Sequence, residues 1–368
     1  MVTDAIHPYH RGGKESRYNE LTRRLTEYYE VHVYTMQWWN GPRVQVSDGV
    51  TYHSISRLVP LYVKDRRSLW QAVWFGFACL QMIRYDFDVL EADHIPFLQV
   101  LVLRLVTLLK RKPFVVTWHE VWGRTYWREY LGWIGIAAWM VEALAMRLPD
   151  HIIAASAQTA QRLRDSMGDR CAISVTPNGI DLDAVAAAVP DTDQADLVVV
   201  GRLMPHKRVD MLLEAVALLR AEGLEVTCRV IGNGPERDAL HEKALGLGLS
   251  GIVDFRHAVT TQQELFGLLK VARVCVFPTA REGFGIAVLE ALACGVPVVT
   301  TSAPDNLAQH LVGRSVRGVV CEPSALALAA AVRKVLAETD AGPGAPDPWL
   351  SEYGWDAAVA RVAGALAL

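Results

Sequence analysis

The stretch from Phe277 to Thr300, FPTAREGFGIAVLEALACGVPVVT, constrains the fold of this chain more than any other. An apolar run ends at Pro278, a glycine stands on each side of Phe284, an alanine- and leucine-rich run carries Glu290, and a second apolar run opens at Pro297. That order reads as strand, glycine turn, helix, strand, the crossover unit of a parallel sheet covered by helices. Gly283 and Gly285 lack a Cβ, so the backbone can turn sharply and lie close to a ligand. The amides opening the helix near Ile286 point at whatever sits over its amino end, where the helix dipole favours negative charge, and a phosphate fits there.

Glu282 precedes the turn, whereas Glu290 lies about one and a half turns further along the helix, at a rise of roughly 1.5 Å per residue. Two carboxylates that far apart can hold hydroxyls at two ends of one elongated ligand, and are too separated to share a proton. Spacing alone leaves a second reading open, an ordinary βαβ crossover with solvated acids and glycines that only make turns. The residues also resemble something specific. Glu282, seven residues, then Glu290, within EGFGIAVLEALACGVPVV, resembles the E-x7-E signature of the retaining glycosyltransferases of the GT4 family. With the further matches below, the resemblance extends over nearly the whole chain. It implies an α/β fold of the GT-B type, in which two Rossmann-like doubly wound domains face each other across a cleft. Residues 1–183 would form the acceptor-binding domain, 184–348 the nucleotide-sugar-binding domain, and 349–368 a helix crossing back onto the N-terminal domain.

A chain of 368 residues, 51% hydrophobic and 21% charged, is long enough for two cores of ordinary size. A formal net charge of −3 gives no electrostatic case for nucleic-acid binding, and no nucleic-acid partner is expected. The six cysteines, Cys79, Cys171, Cys228, Cys275, Cys294 and Cys321, form no C-x-x-C pair and mostly sit in apolar runs, as buried thiols of a reducing cytoplasm do. The start, MVTDAIHPYHRGG, has no apolar signal region, and the longest uncharged run, Ser68 to Ile83, is shorter than the roughly 20 residues that span a bilayer. The expected place is the cytoplasm, with the inner face of the membrane as its variant.

In the N-terminal half, the pattern predicts a strand at Val2–Ile6, a loop at Pro8–Lys14, and a helix over Glu15–Tyr29, where Tyr18, Leu21, Leu25 and Tyr28 recur at helical spacing. A strand follows from Val31. Met1 to Thr3 supply fewer apolar residues than such units usually begin with, which leaves a clipped first strand and a late start as alternatives. Gly12 and Gly13 fall in the first strand-to-helix loop, where doubly wound sheets place their crevice. The resemblance puts such a pair under the donor diphosphate and beside the acceptor; by itself it could be a flexible turn. The run Arg66 to Arg84, RRSLWQAVWFGFACLQMIR, reads either as a buried helix or as a surface helix that meets an anionic membrane or a lipid-linked acceptor. Trp38, Trp39 and the segment Trp127 to Trp139 add aromatic surface to the second reading. PFVVTWHE carries a buried strand to Trp118, His119 and Glu120 at its end. A lone histidine there is commonly structural, but the resemblance gives His119 contact with the donor sugar rather than proton abstraction. Asn178, Gly179, Ile180 and Asp181 resemble the family's N-G-[IV]-D turn beside the cleft, and without it would be read simply as a turn.

Ala184 to Gln194 is small, proline-containing and acidic, the pattern of a linker. LVVVGRLMPHKR then runs from a buried strand into a basic loop whose Arg202 and Lys207 are spaced to reach one diphosphate. It resembles the family's G-R-L-x-x-x-K element, with Arg208 where glycine is usual. VTCRVIGNGPER carries a strand to Ile231 and a turn at Gly232, Asn233, Gly234 and Pro235, which the resemblance lays against the nucleoside. In DFRHAV, Arg256 and His257 stand where the family has smaller residues, and SAPDNLAQHL departs from the family's Gly-Gly-x-Pro-Glu pattern. After AGPGAPDP, a last helix is expected over Trp349–Leu368.

Under this resemblance the chain moves a sugar, with retention, from a nucleotide-diphosphate-sugar donor to a glycan, lipid-linked or small-molecule acceptor that enters from the N-terminal side. The catalytic set is His119, Glu282, Arg202 and Lys207, with Glu282 on the sugar hydroxyls and the two cations on the diphosphate. Donor binding falls to Gly12, Gly13, Gly232, Asn233, Gly234, Gly283, Phe284, Gly285, Ile286 and Glu290, the last on the ribose hydroxyls. No carboxylate is identifiable as a covalent nucleophile, so front-face substitution is expected, the departing phosphate taking the acceptor proton. No cofactor is expected beyond the nucleotide sugar itself. D-x-D occurs at Asp86, Asp181 and Asp191, at the start of a strand, in a turn and in the linker, so no metal site is expected. Two rivals remain: a sugar-nucleotide epimerase of the same fold, and a non-enzymatic carbohydrate- or membrane-binding protein using the aromatic N-terminal face.

Overall fold

In the computed structural model, which describes residues 1–10, 12–63, 66–256, 259, 261–338 and 343–367, the chain divides into two units. One is Met1–Gly179 with Trp355–Leu368, the other Ile180–Gly354. The helix Leu182–Ala187 falls in the second because Ile180 and Val185 are buried in its core, as is Leu350 of the turn Pro348–Tyr353. The first residues of the expected linker are therefore helical, capped by Asp181, whose carboxylate accepts from the Ala184 amide at 2.8 Å.

The second unit is built on six parallel strands, in the spatial order Val253–Arg256, Cys228–Ile231, Ala195–Val200, Ala272–Phe277, Val298–Thr301 and Gly318–Cys321. Strands covered on both faces read as near-continuous apolar runs. Alternate residues of ADLVVV accordingly go to opposite cores, Leu197 and Val199 to the side of the helices Val209–Ala221 and Ala325–Glu338, and Val198 to the side of Gln262–Leu269 and Ile286–Ala293. Chain order reverses between Ala195–Val200 and Ala272–Phe277. In a doubly wound sheet the ligand crevice opens at the carboxyl ends of the two strands flanking that reversal.

The first unit repeats the plan. Val50–Ser56 pairs parallel with His32–Met36 and antiparallel with the outer strand Val44–Ser47. Leu90–Asp93, Phe114–Trp118, His151–Ala154 and Ala172–Val175 form a parallel group. Val2 joins the two groups through single parallel bridges to Tyr34 and Ala92. The expected strand Val2–Ile6 is thus one bridged residue, since Asp4 turns from the sheet into a buried polar cluster. The helices Leu69–Ala78, Leu98–Lys110 and Gly135–Ala145 cover the face that presents Val116 and Ile152, whereas Gly13–Leu25 and Trp355–Leu366 cover the face that presents Val115 and Ile153.

Two expected helices are corrected. The run Arg66 to Arg84 is a helix only over Leu69–Ala78, capped by the Ser68 hydroxyl, and continues as a 3-10 turn over Cys79–Arg84. It is neither wholly buried nor wholly exposed: Gln71, Phe75, Cys79 and Met82 face the core, while Trp70, Phe77, Leu80 and Ile83 face outward. The last helix breaks at Gly354, and only Trp355–Leu366 is α-helical. Trp355 closes over the N-G-I-D turn so tightly that a Cβ on Gly179 would lie 2.4 Å from its ring. Arg17 completes that corner, donating to the Pro177 carbonyl at 2.7 Å and the Asn178 side chain at 3.1 Å.

Trp355→Ala removes a buried indole that fills the corner, and should lower the urea-unfolding free energy by about 3 kcal/mol. An unchanged midpoint would show that the terminal helix contributes nothing to the first unit.

Candidate active site

In the second unit a pocket opens at the sheet reversal and brings three of the expected residues to one wall: Arg202, Lys207 and Glu282. Each arrives there for a local reason. Strand Ala195–Val200 ends at Gly201, whose φ of 151° turns the chain toward the pocket, and the 3-10 turn Pro205–Lys207 then swings back. The turn is pinned from the neighbouring strand end, where the Ala280 amide and the Thr279 hydroxyl both donate to the His206 carbonyl, at 2.8 and 3.1 Å. Lys207 Nζ is thereby carried onto the Glu282 carboxylate, with which it forms a hydrogen-bonded ion pair. Both side chains are only partly buried, so this pair is open to exchange with an incoming anion.

Arg208 occupies the place where the family has glycine, and its φ of 51° and ψ of 37° supply the reason for that preference. Its left-handed backbone is one glycine adopts without cost. Here the guanidinium is held instead by Asp210, at 3.1 and 3.2 Å.

The glycine turn after Cys228–Ile231 is a backbone-on-backbone contact. A Cβ on Gly232 would sit 1.9 Å from the Gly201 carbonyl oxygen, and one on Gly234 would sit 2.2 Å from that of Leu203, so neither position admits a side chain. Asn233 spends its side-chain oxygen on the Gly234 amide at 2.9 Å and its carbonyl on the Leu203 amide at 3.0 Å. The turn therefore shapes the pocket wall through its main chain.

Gly285 caps the helix Ile286–Ala293 at a φ of 93°, and a Cβ there would lie 2.6 Å from that of Ala308. The first amides of that helix have no partner within it. The ring of Phe284 is buried in the core beside Tyr353, so this residue, like Gly283 before it and Ile286 after it, offers the turn mainly its main chain. One contributor was not legible in sequence: Asp305–Asn306 pairs in parallel with Arg281–Glu282, and the Leu307 amide donates to the Glu282 carbonyl at 2.8 Å. Buried Asn306 anchors this strap through Thr300 Oγ1 at 2.9 Å and the Thr301 carbonyl at 2.7 Å.

Glu290 is buried within the helix Ile286–Ala293, and burial pushes its carboxyl up to about 7. Arg256, which departs from the family pattern, is clamped by Asp254 at 2.8 Å and by Asp193, while His257 lies outside the described residues. Asp181 and Asp191, from two of the D-x-D runs, each accept a main-chain N–H at 2.8 Å.

The first unit carries a second constellation at the carboxyl ends of its central strands. Gly12 and Gly13 open the helix Gly13–Leu25, and a Cβ on Gly12 would meet the Glu15 carboxylate at 2.4 Å. Lys14 projects into a pocket of acids, 2.8 Å from Asp4, 2.6 Å from Asp93 and 3.7 Å from Glu15. Arg67 and Gln71 each reach Asp4 at 3.1 Å. Burial by itself would raise the Asp4 carboxyl, but Arg67 and Lys14 together hold it below its ordinary value. Lys14 in turn, despite its burial, is raised by Asp4 and Asp93 and stays charged. His119 sits at the end of Phe114–Trp118 with Nε2 3.7 Å from Asp93. Burial, helped by His94, Arg17 and Lys14, pushes its imidazole down to about 3 against the pull of Asp93, so it is neutral at ordinary pH. Asp93, His94 and His119 place one ligand-type atom each within 4.8 Å of one another, but Lys14 already holds the second oxygen of Asp93, which makes the group a poor cation site. Sequence reasoning missed Asp4, Lys14 and Asp93. The available signal was a lysine directly after the glycine pair and an acid at the end of each of two apolar runs.

The state of Glu290 gives a pH signature. Its folded value of about 7 lies above its ordinary 4.5, so the folded chain holds a proton there that the unfolded chain has released, and stability from this group is lost as pH rises from about 4.5 through 7. Glu290→Gln removes that loss. Its stability relative to the natural chain should grow by about 3 kcal/mol between pH 4.5 and pH 8 in urea unfolding without ligand, and parallel curves would contradict the assignment.

Comparison with known proteins fits this geometry. The family described as Glycosyltransferase Family 4 matches residues 11–184, and that described as Glycosyl transferases group 1 matches residues 184–342. Glycogen synthase of Mycobacterium tuberculosis (strain CDC 1551 / Oshkosh) is 34% identical over 217 residues, 56% of this chain and 51% of that protein. The GDP-mannose-dependent alpha-(1-6)-phosphatidylinositol dimannoside mannosyltransferase of Mycobacterium tuberculosis (strain ATCC 25177 / H37Ra) is 36% identical over 146 residues, 39% of this chain and 36% of that protein. The chain thus spans about half the length of these relatives, or less. Among solved structures, sucrose-phosphate synthase from Thermosynechococcus elongatus matches with a TM-score of 0.73 at 20% identity, covering 97% of this chain and 90% of that one, a likeness of fold. The α/β fold is of the GT-B type, and with two adjoining family matches running from residue 11 to residue 342, the chain belongs to the family 4 glycosyltransferases.

Proposed function

We propose that this chain transfers a sugar, with retention of configuration, from a nucleotide-diphosphate-sugar donor to a sugar, lipid-linked or small-molecule acceptor. One observation carries the reading: Arg202, Lys207 and Glu282 line a single pocket at the sheet reversal of the second unit, beside a helix amino terminus opened by Gly285. Two cations and a set of main-chain amides there suit a diphosphate, and a carboxylate among them suits sugar hydroxyls. Nucleotide-sugar chemistry is also what the name of the mannosyltransferase relative states for that protein.

In the proposed reaction the bond between the anomeric carbon and the phosphate oxygen breaks while the acceptor oxygen bonds the same face of that carbon. The acceptor proton passes to the departing phosphate. Lys207, released from Glu282 by the incoming diphosphate, and Arg202 absorb the charge left on the leaving group. Glu282, freed in the same exchange, accepts from the sugar hydroxyls, and Glu290 accepts from the ribose. From the first unit, neutral His119 contributes a hydrogen-bond donor to the sugar rather than a base, and Gly12 and Gly13 allow close approach of the diphosphate. With two cations assigned to the diphosphate, the proposed reaction is metal-independent. The aromatic helices of the first unit favour a lipid-linked acceptor and a place at the inner face of the membrane.

Incubating the protein with a panel of nucleotide sugars and following nucleotide release should show turnover that requires an acceptor. Release without acceptor would favour an epimerase, and no release with any donor would favour a binding protein. Lys207→Ala should reduce kcat/KM by about 10²–10³-fold, the loss expected when a donor to developing negative charge is removed. Full activity in that variant would contradict the role given to Lys207. Transfer should survive a chelator; loss restored by magnesium would overturn metal independence.

A further inference from the structure

We infer that the outer surface of the helices Leu69–Ala78, Leu98–Lys110 and Gly135–Ala145, together with the 3-10 turn Cys79–Arg84, docks on an anionic lipid surface. These elements pack side by side on one face of the first unit's sheet, and Leu69–Ala78 meets Leu98–Lys110 closely at Gly76, where an added Cβ would lie 3.3 Å from that of Leu98. Their inner stripes are core. The outer stripes are apolar as well, which an ordinary amphipathic surface helix does not show.

Along Leu69–Ala78 and its continuation, Trp70, Phe77 and Leu80 recur at helical spacing and point outward, with Trp70 60% and Phe77 67% exposed. Leu98–Lys110 presents Leu105, Leu108 and Leu109, the last 67% exposed. Met140 and Leu144 continue the surface on Gly135–Ala145, and Trp133, in the turn before that helix, is 82% exposed. Scattered apolar residues on a surface need no explanation, but outward stripes on three adjoining elements mark an interaction site.

Charge decides what covers it. The three elements end one short connection before the amino ends of Leu90–Asp93, Phe114–Trp118 and His151–Ala154, which are neighbours in the sheet. Their ends therefore line up along one edge, and they are basic: Arg84 closes the first, Lys110, Arg111 and Lys112 the second, and Arg147 the third. Lys110 Nζ lies 3.3 Å from the Ile83 carbonyl, which ties the first two ends together. Of the acids in the connections that follow, Asp88 pairs with Lys112 at 3.3 Å and Asp150 with Arg104 at 2.9 Å, leaving Asp86 against Arg84, Lys110, Arg111 and Arg147. An apolar, tryptophan-bearing surface bordered by surplus positive charge is complementary to a bilayer with anionic headgroups, and two such like-charged borders would repel if a second copy sat there. Among the described residues no helix is long and apolar enough to cross a membrane, so the contact lies on the bilayer and not across it.

This names the face by which the proposed transferase would reach a lipid-linked acceptor, and in that respect rests on that reading; the binding itself is measured without donor. In co-sedimentation, the protein should bind vesicles of phosphatidylcholine with about one-third phosphatidylglycerol, bind phosphatidylcholine alone weakly, and lose most binding between about 0.1 M and 1 M salt. The exposed pair Phe77→Ser with Leu108→Ser, and separately Arg84→Glu with Arg111→Glu, should each weaken binding about tenfold or more while leaving the urea midpoint unchanged. Glu282→Gln, placed in the other unit, should bind vesicles like the natural chain, so that loss of transfer and loss of docking are read apart. Absence of binding to the anionic vesicles, or equal binding by both double variants, overturns the inference. So does a concentration-dependent dimer in sedimentation velocity that the apolar variant dissolves while vesicles are ignored.

Discussion

A parallel sheet whose strand order reverses cannot keep all its connections on one side. The chain leaving one of the two central strands turns to one face and the chain leaving the other turns to the opposite face, so a crevice must open between them. In the second unit that crevice falls between Gly201 and Pro278, and Arg202, Lys207 and Glu282 are carried by the loops that part there. The pocket is thus a consequence of topology before it is a consequence of side chains. What the side chains add is closure. Gly232 and Gly234 let two loops touch main chain to main chain, and Asn306 ties the strap that supports Glu282.

The two units hold their charges in physically different ways. Lys14 is enclosed with Asp4, Asp93 and Arg67, and each member lies within ion-pair distance of an opposite charge. Removing one partner from such a group leaves an uncompensated buried charge, which costs several kcal/mol, so this cluster holds the amino end of Gly13–Leu25 and the sheet ends in one arrangement. Lys207 and Glu282 are partly open to water, where an ion pair contributes about 1 kcal/mol or less. A weak pair of opposite charges can be taken apart by a ligand that offers each member a better partner. In the proposed reaction that ligand is a sugar diphosphate, with phosphate for the lysine and hydroxyls for the glutamate.

Much of the second unit was legible because its signals are local. Arg202 and Lys207 lie five residues apart on one loop, and Glu282 and Glu290 belong to one strand-turn-helix segment, so short-range spacing fixes their placement. Phe284 sits in the turn as expected, and its ring belongs to the core, a placement the local spacing does not reveal. The pairing of Asp305–Asn306 with Arg281–Glu282 was hidden because it joins segments that share no periodicity. The acid cluster around Lys14 was hidden for a related reason. Asp4, Arg67 and Asp93 come from three separate segments, and only the assembled sheet brings them together. Arg208 runs the other way: a departure from the expected glycine became intelligible once its left-handed backbone and its grip on Asp210 were seen.

The segment from Arg66 to Arg84 offered two readings, buried or exposed, and the outcome joins them. Its inner stripe, with Phe75, Cys79 and Met82, fills the first unit's core, and burying such side chains contributes roughly 1.5–3 kcal/mol each. That stripe is enough to hold the helix in place. The outer stripe contributes nothing comparable to folding while it faces water, and exposed tryptophan and phenylalanine carry a standing liability to association. An apolar residue that does not stabilise the fold and raises the risk of aggregation needs another reason to be there. The same reasoning applies independently to Leu108 and Leu109 on the next helix and to Trp133 beside the third, and all three elements converge on basic ends along one sheet edge. Core packing accounts for one side of these helices; a bound surface of low polarity and negative charge, as inferred above, would account for the other.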